Sequence, residues 1–206
     1  MNWTKRAQET LRRELPYEDL LPAELPAYVH SYVYYFGVAT LASFVVLVAS
    51  GVVLVSFGPQ WWHVSGIGHF FNSLHFWTVQ IFFFAMVLHL WAQFFMAAWR
   101  DGRQWTWVIG VLLFLISVPT ALTGFLSQQN FDSQWIAVQG KDAMNALGVG
   151  GFFNLLNFGQ MYSFHIVILP LVLGILIGLH VLMVRWHGVV RPIDDPPQPG
   201  KGGRRK

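Results

Sequence analysis

Four long apolar segments constrain the fold of this chain more than any other feature of its sequence. They cover residues 33–57, 74–99, 105–126 and 163–186. Each provides the roughly 20 apolar residues that a helix needs to cross a bilayer. Only 11% of all residues are charged, against about 25% in soluble domains. The sequence therefore predicts an all-α membrane protein, a four-transmembrane-helix bundle over residues 33–186.

The parts outside this bundle carry most of the positive charge. Residues 1–32 are expected to form a cytoplasmic N-terminal surface segment, and residues 187–206 a cytoplasmic tail with a disordered end. Four crossings place both termini and the second turn on one side, where all Lys and Arg residues except Lys141 fall. Since Lys and Arg are enriched in cytoplasmic loops, both termini are predicted to be cytoplasmic. Basic residues beside apolar spans also argue against a nucleic-acid partner.

Three connections join the predicted spans. Residues 58–72 form a short link, and residues 100–103 form a tight turn. Residues 127–162 are longer and polar enough to lie along the membrane surface as short amphipathic helices.

Four histidines lie inside the spans, His75 and His89 in the second and His165 and His180 in the fourth. The first two stand at positions i and i+14, and the other two at i and i+15. Both separations are close to four helical turns, so the members of a pair face the same way. The two spans run in the same direction, so His75 matches His165 in depth and His89 matches His180. A single histidine in a membrane helix often only joins two helices, but two matched layers indicate a function.

Two opposed imidazoles at one depth favour a haem over a protein-only metal site. Zinc prefers four protein ligands, and the chain has no Cys and no carboxylate near these layers. A haem iron needs only two axial ligands, because the porphyrin fills the other positions. With both axial positions occupied by histidine, the expected chemistry is electron transfer. The sequence predicts two b-type haems, bound non-covalently because no Cys is available for a thioether link.

Small residues near the same depths could give a flat macrocycle room between helices. Gly37 and Gly51 in the first span stand at i and i+14, and Gly110 and Ala121 lie at comparable depths in the third. Small residues also let membrane helices pack closely. Repetition at the histidine spacing favours the clearance role for Gly37 and Gly51.

Two arginines lie at the cytoplasmic ends of the third and fourth spans, Arg103 and Arg185. A cation at either place could pair with a haem propionate. Both also suit simple anchoring of the spans by the positive-inside rule, and the sequence favours neither role.

The motifs along these spans resemble those of one family. The chain is similar to the N-terminal, haem-bearing half of cytochrome b of Rieske/cytochrome bc complexes, over roughly residues 25–192. The spacing in the fourth span is most like the split form of chloroplasts and some bacteria. The matching residues besides the four histidines are Tyr34, Gly37, Ser50, Gly51, Arg103, Thr106, Trp107, Val108, Gly110, Thr123, Gly124, Phe125, Trp135, Ser163, Leu169, Pro170, Leu171, Met183, Arg185 and Gly188.

The resemblance implies a dihaem subunit of a quinol:cytochrome c, or similar acceptor, reductase in a bacterial inner membrane. It implies that His75 and His165 hold the outer haem and His89 and His180 the inner one, with quinol and quinone as substrates. The implied partners are a second cytochrome b-half subunit, a Rieske iron–sulfur protein, a cytochrome c-type subunit or acceptor, and membrane lipid, in a dimeric complex. The family's Pro-Glu-Trp-Tyr-type loop is not found in this sequence, so the chain is expected to be an enzyme subunit that is incomplete alone, and no catalytic residue is identified in it.

Several positions depart from the family pattern. Asn72 stands where an arginine usually precedes the first ligand, and Phe76 where an arginine often follows it. Gln128 and Gln129 replace a Pro-Trp pair, and Tyr35 occupies the position that carries an extra covalent haem in the chloroplast type. These departures make propionate pairing at the outer haem and the quinol-side wall the least predictable parts of the site.

Two alternatives remain at the level of sequence. A dihaem membrane subunit of a hydrogenase or formate dehydrogenase also holds haems between histidines, and it would pass electrons to quinone. A non-redox scaffold or transporter subunit would explain the four spans but not the two histidine layers.

Overall fold

The computed structural model describes Trp3, Val29 and residues 31–193. These residues contain no β-strand and form seven α-helices and one π-helical turn. The elements are α1 Tyr32–Phe57, α2 Pro59–Val64, α3 Gly66–Phe95, α4 Gln104–Leu126, α5 Phe131–Ala146, α6 Phe158–Ser163, the π turn Phe164–Ile168 and α7 Leu169–His187. Nearly all of the predicted N-terminal segment and most of the predicted tail lie outside the described residues.

Four helices in the described part are long and apolar enough to cross a membrane, which confirms the predicted fold class. They are α1, α3, α4 and the continuous run Phe158–His187, which joins α6, the π turn and α7. Between 6% and 22% of the residues in their most apolar windows are buried inside the chain. Most of the apolar surface therefore faces outward, as expected of helices whose solvent is lipid or another subunit.

Three of the predicted helix boundaries are wrong. The second span begins at Gly66 and ends at Phe95 rather than covering residues 74–99. Its start lies in the predicted link because Ser65 caps it, accepting a hydrogen bond from the Gly68 N–H at 3.3 Å. It ends early because Ala97 adopts a positive φ of 49°, which few non-glycine residues do. The fourth span begins at Phe158, ahead of the predicted start at Ser163.

The spanning helices pack as two pairs. Helix α1 lies along α3 over most of its length, and α4 packs against the run that contains α7. The two pairs touch each other only sparsely, with few contacts between α3 and α4. We call the space between the pairs the slot. At one end of the bundle, α5 covers the corner between α4 and α6 through a buried cluster of Leu126, Ala137, Leu155 and Met161.

The opposite end is closed by hydrogen bonds to the segment after α7. Gly188 ends α7 with a φ of 73°, a conformation that glycine adopts without steric cost. The Tyr34 hydroxyl then donates to the Val190 carbonyl at 2.7 Å. Arg100 Nη2 donates to the Arg191 carbonyl at 2.8 Å. These contacts fix the end of the fourth span against α1 and the turn between α3 and α4.

Candidate cofactor-binding site

His75 of α3 and His165 of the π turn face each other across the slot. Their ring centroids are 6.1 Å apart, and the ring planes are close to perpendicular at 84°. A single metal about 2 Å from the nearest nitrogen of each ring is compatible with this separation. We call these two side chains the outer pair.

Each imidazole of the outer pair is oriented by a hydrogen bond at its Nδ1 atom. The Ser50 hydroxyl donates to the Val46 carbonyl at 2.7 Å, so its oxygen is left to accept from His75 Nδ1 at 2.9 Å. His165 Nδ1 donates to the Thr120 carbonyl at 2.9 Å. With Nδ1 protonated, each ring keeps a lone pair on Nε2 for a metal.

His89 and His180 form the inner pair. The two rings lie within range of an electrostatic interaction with each other. The Nδ1 atoms of both rings are buried and have no hydrogen-bond partner, although the Thr106 carbonyl lies near His180. Unpartnered buried polar atoms are uncommon in native proteins and call for an explanation. A metal group coordinated at Nε2 would not supply this partner, and the acceptor within reach of His180 is the Thr106 carbonyl.

One glycine faces each of the four imidazoles. A Cβ placed on Gly37 would lie 3.0 Å from His89 Cε1, on Gly51 3.4 Å from His75 Cε1, and on Gly110 3.3 Å from His180 Cε1. A Cβ on Gly124 would lie 2.8 Å from His165 Nε2. Any side chain at these positions would enter the space of the rings.

The sequence prediction misses the fourth glycine. It singles out Ala121 in the outer half of the third span, but Gly124 is the residue that faces a histidine. The available signal is the spacing, because Gly110 and Gly124 stand at i and i+14, as do Gly37 and Gly51.

The arrangement suits a flat macrocycle better than a metal ion held by protein alone. No group of three or more potential metal-ligating side chains occurs among residues 31–193. Two opposed imidazoles leave the other positions of a six-coordinate metal to be filled by the bound group. The sparse contact between the helix pairs leaves a slot for it. The residues present therefore fit one haem between His75 and His165 and another between His89 and His180.

The two predicted propionate partners lie at the end of the slot near the inner pair. Arg103 is 8% exposed, and its Nη2 donates to the His187 carbonyl at 3.0 Å. It also forms a 3.5 Å ion pair with Asp101. Arg185 is exposed. Arg103 thus secures the end of α7, whereas Arg185 faces outward.

Asn72 and Gln128, two positions that depart from the family pattern, are hydrogen-bonded to each other. The Asn72 and Gln128 side-chain amides exchange two hydrogen bonds, of 3.0 Å and 2.9 Å. His63 Nε2 lies 3.0 Å from the Gln128 carbonyl. This amide pair joins α3, one turn before His75, to the end of α4. A cavity of about 230 Å³ lies beside it, with Phe76 in its wall.

The amide pair should behave as one unit when it is mutated. Each hydrogen bond contributes about 0.5–1.5 kcal/mol net, so Asn72→Ala and Gln128→Ala should each lower the free energy of unfolding by about 1–3 kcal/mol. The double variant should cost little more than either single variant, because both remove the same bonds. Chemical unfolding in detergent measures this cycle. Additive losses would show that the two amides act independently.

Comparison with known proteins identifies a family over more than half of the chain. Residues 80–201 match the family model described as Cytochrome b(N-terminal)/b6/petB. Cytochrome b6 of Heliobacterium modesticaldum (strain ATCC 51547 / Ice1) is 26% identical, covering 94% of this chain and 100% of that protein. Cytochrome b6 of Chlamydomonas reinhardtii is also 26% identical, covering 90% of this chain and 96% of that protein.

Longer relatives match over only part of their length. The cytochrome bc complex cytochrome b subunit of Chlorobaculum thiosulfatiphilum is 26% identical over 82% of this chain, which spans 45% of that protein. Among solved structures, a hyperthermophilic respiratory Complex III chain superposes with a TM-score of 0.70 at 20% identity. That match covers 93% of this chain and 57% of the other. It supports the same fold.

Proposed function

The chain belongs to the cytochrome b (N-terminal)/b6 family, and we propose that it is the dihaem electron-transfer subunit of a quinol-oxidising cytochrome bc-type complex. The outer pair, His75 and His165, holds one haem b, and the inner pair, His89 and His180, holds the other. The observation that carries this proposal is the repeated arrangement of two imidazoles, each facing a glycine on the neighbouring helix of its own helix pair. A non-redox scaffold would have no need of it.

A haem held by each pair of histidines would supply one-electron redox chemistry, with no position left at its iron for oxygen or substrate. The chain's own residues set the orientation of the ligands. Ser50 and the Thr120 carbonyl fix the two outer rings. The four facing glycines leave room for the four rings. Arg103 and Arg185 are proposed to place positive charge near the inner haem propionates, Arg103 in addition to holding the end of α7.

Two stacked sites give electrons a path across the bilayer. One elementary charge crossing the membrane works against about 2.3 kcal/mol per 100 mV, so such a path conserves energy. We propose quinol and quinone as the substrates at its two ends.

A second cytochrome b-half subunit, a Rieske iron–sulfur protein and a cytochrome c-type acceptor complete the dimeric complex in a bacterial inner membrane, with both termini cytoplasmic. Membership of the cytochrome b family favours this role over a hydrogenase or formate dehydrogenase subunit.

The direct test is the haem content of the purified chain. The pyridine haemochrome spectrum should give two haems b per chain, and acid–acetone should extract all of the pigment because no Cys is present. A reduced-minus-oxidised spectrum should then resolve two components in a redox titration. A single haem, or pigment that stays on the chain after extraction, would contradict the proposal.

Removing the Ser50 hydroxyl should weaken the outer site selectively. The Nδ1–H bond raises the basicity of a ligating histidine, and losing such a bond typically costs about 10–100-fold in affinity for the bound metal group. Ser50→Ala should therefore lower the affinity of the outer site for haem by about 10–100-fold. It should also raise the midpoint potential of that haem, because a less basic ligand stabilises the oxidised iron less.

Ser43→Ala is the matched control for this variant. Ser43 lies on the same helix and is buried, but its hydroxyl donates only to the Ala39 carbonyl at 2.7 Å. Haem titration of the reconstituted apoprotein and a redox titration measure both effects. Equal effects of the two serine variants, or a shift confined to the inner haem, would refute the assignment of Ser50.

A further inference from the structure

The histidines of the fourth span are one residue farther apart than their counterparts on the other helices. His75 and His89, Gly37 and Gly51, and Gly110 and Gly124 all stand at i and i+14, whereas His165 and His180 stand at i and i+15. At about 100° per residue, fourteen steps end about 40° short of four turns, and fifteen steps end about 60° beyond them. In an uninterrupted α-helix, the two histidines of the fourth span would therefore be about 100° out of step with the other three pairs.

The structure nevertheless places both histidines opposite the two glycines of α4, which keep the i, i+14 spacing. The π turn Phe164–Ile168, which contains His165, accounts for the difference. The Leu169 N–H bonds to the Phe164 carbonyl, five residues back instead of four. A π turn holds about one residue more than an α turn, and one residue is the surplus that has to be accommodated.

Pro170 favours this turn locally. A proline has no N–H, and its ring collides with the carbonyl four residues earlier, here that of Ile166 within the turn. Proline alone does not explain the turn, however, because Pro119 lies inside α4, which stays α-helical throughout. Both α4 and the fourth span contain a proline. The π turn occurs in the fourth span, which also has one extra residue between its histidines.

We propose that the π turn is a register device that absorbs the surplus residue, so that His165 enters the slot at the same rotation as the other layer residues. Pro170 is then a positioning residue that acts through the turn. The inference rests on the proposed function, since it concerns which haem each histidine can reach. It predicts an asymmetry between two helices that carry equivalent ligands. The fourth span should tolerate the loss of one residue between its histidines, whereas α3 should not.

The experiment compares single-residue deletions in the full chain by haem stoichiometry and redox titration. Deleting Val167 brings His165 and His180 to the i, i+14 spacing, and the turn should relax into α-helix with both haems retained. Deleting Ile81, which is as exposed as Val167 at 56%, brings His75 and His89 to an i, i+13 spacing in a helix with no π turn. This second deletion should lower the content from two haems to one.

Two further variants complete the design. Val167→Ala shortens the side chain without changing the register and should keep both haems. An alanine inserted after Val172 makes the histidine spacing i, i+16, which the turn has no capacity to absorb, so one haem should be lost. Retention of both haems after the Val167 deletion, with loss after the Ile81 deletion, supports the register device.

Loss of a haem from the Val167 deletion would overturn the inference while leaving the dihaem function intact, provided that the unaltered chain binds two haems. If the chain lacking Val167 does not accumulate, deletion of Val172 gives the same i, i+14 spacing from outside the turn and decides the matter. Failure of both deletions to accumulate, with Val167→Ala normal, would also overturn it.

Discussion

Replacement of His75 or His165 by leucine is expected to lower the haem content from two to one per chain and to abolish the outer redox component. Leucine supplies no ligand, and the partner imidazole alone leaves one axial position empty. His89→Leu or His180→Leu should instead abolish the inner component. The two rings of the outer pair already lie 6.1 Å apart, so the effect of either outer replacement should be the same.

Pyridine haemochrome analysis and redox titration of each variant measure this outcome. His69→Leu is the matched control, because His69 is an exposed histidine on the same helix as His75 and His89. It should keep both haems. The layer assignment would be wrong if His75→Leu and His89→Leu removed the same component.

Gly124→Val is expected to eliminate the outer haem as completely as loss of a ligand. A Cβ at this position would lie 2.8 Å from His165 Nε2 and 2.9 Å from Nδ1, and real Cβ atoms do not come that close to a ring. The valine side chain would therefore displace His165 from the position in which it faces His75. The inner haem should stay, because its rings face Gly37 and Gly110.

Gly178→Val is the control for the general effect of placing valine in a membrane helix. Gly178 lies on α7, and a Cβ there meets nothing within 4 Å. Both variants replace a helical glycine by the same residue, so only the contact differs. A normal reduced-minus-oxidised spectrum for Gly124→Val, or equal losses for the two variants, would contradict the clearance role of Gly124.

The features that repeat along the chain can be predicted from its sequence. The spans follow from hydropathy and length, and the depths of the four histidines follow from helical periodicity, because both are properties of one helix at a time. Gly37, Gly51 and Gly110 are found for the same reason. Gly124 carries the same signal, since it stands at the i+14 position from Gly110, but the prediction selects Ala121 in its place.

The features that depend on contacts between distant segments cannot be predicted in the same way. Asn72 and Gln128 are far apart in the sequence. The sequence shows them only as two unrelated departures from the family pattern, whereas in the structure their side chains are hydrogen-bonded to each other. The start of α3 is missed because its glycines and His69 make the first turns look like a link, whereas Ser65 caps them. The π turn is missed because the i, i+15 spacing still approximates four turns when each helix is considered alone.

The sparse contact between the two helix pairs has a consequence for how the protein matures. Each pair of helices supplies one histidine and one glycine to each layer. A bound haem would therefore touch both helix pairs and fill the space between them that their side chains leave open. A ligand that binds only the closed form stabilises it by mass action, by about 2.7 kcal/mol at 100 times the dissociation constant. The apoprotein should therefore behave as two loosely associated hairpins that open readily, and insertion of the cofactor becomes the last step of tertiary folding. With the proposed haems as its ligands, we expect the amount of chain that escapes proteolysis in the membrane to depend on the supply of haem.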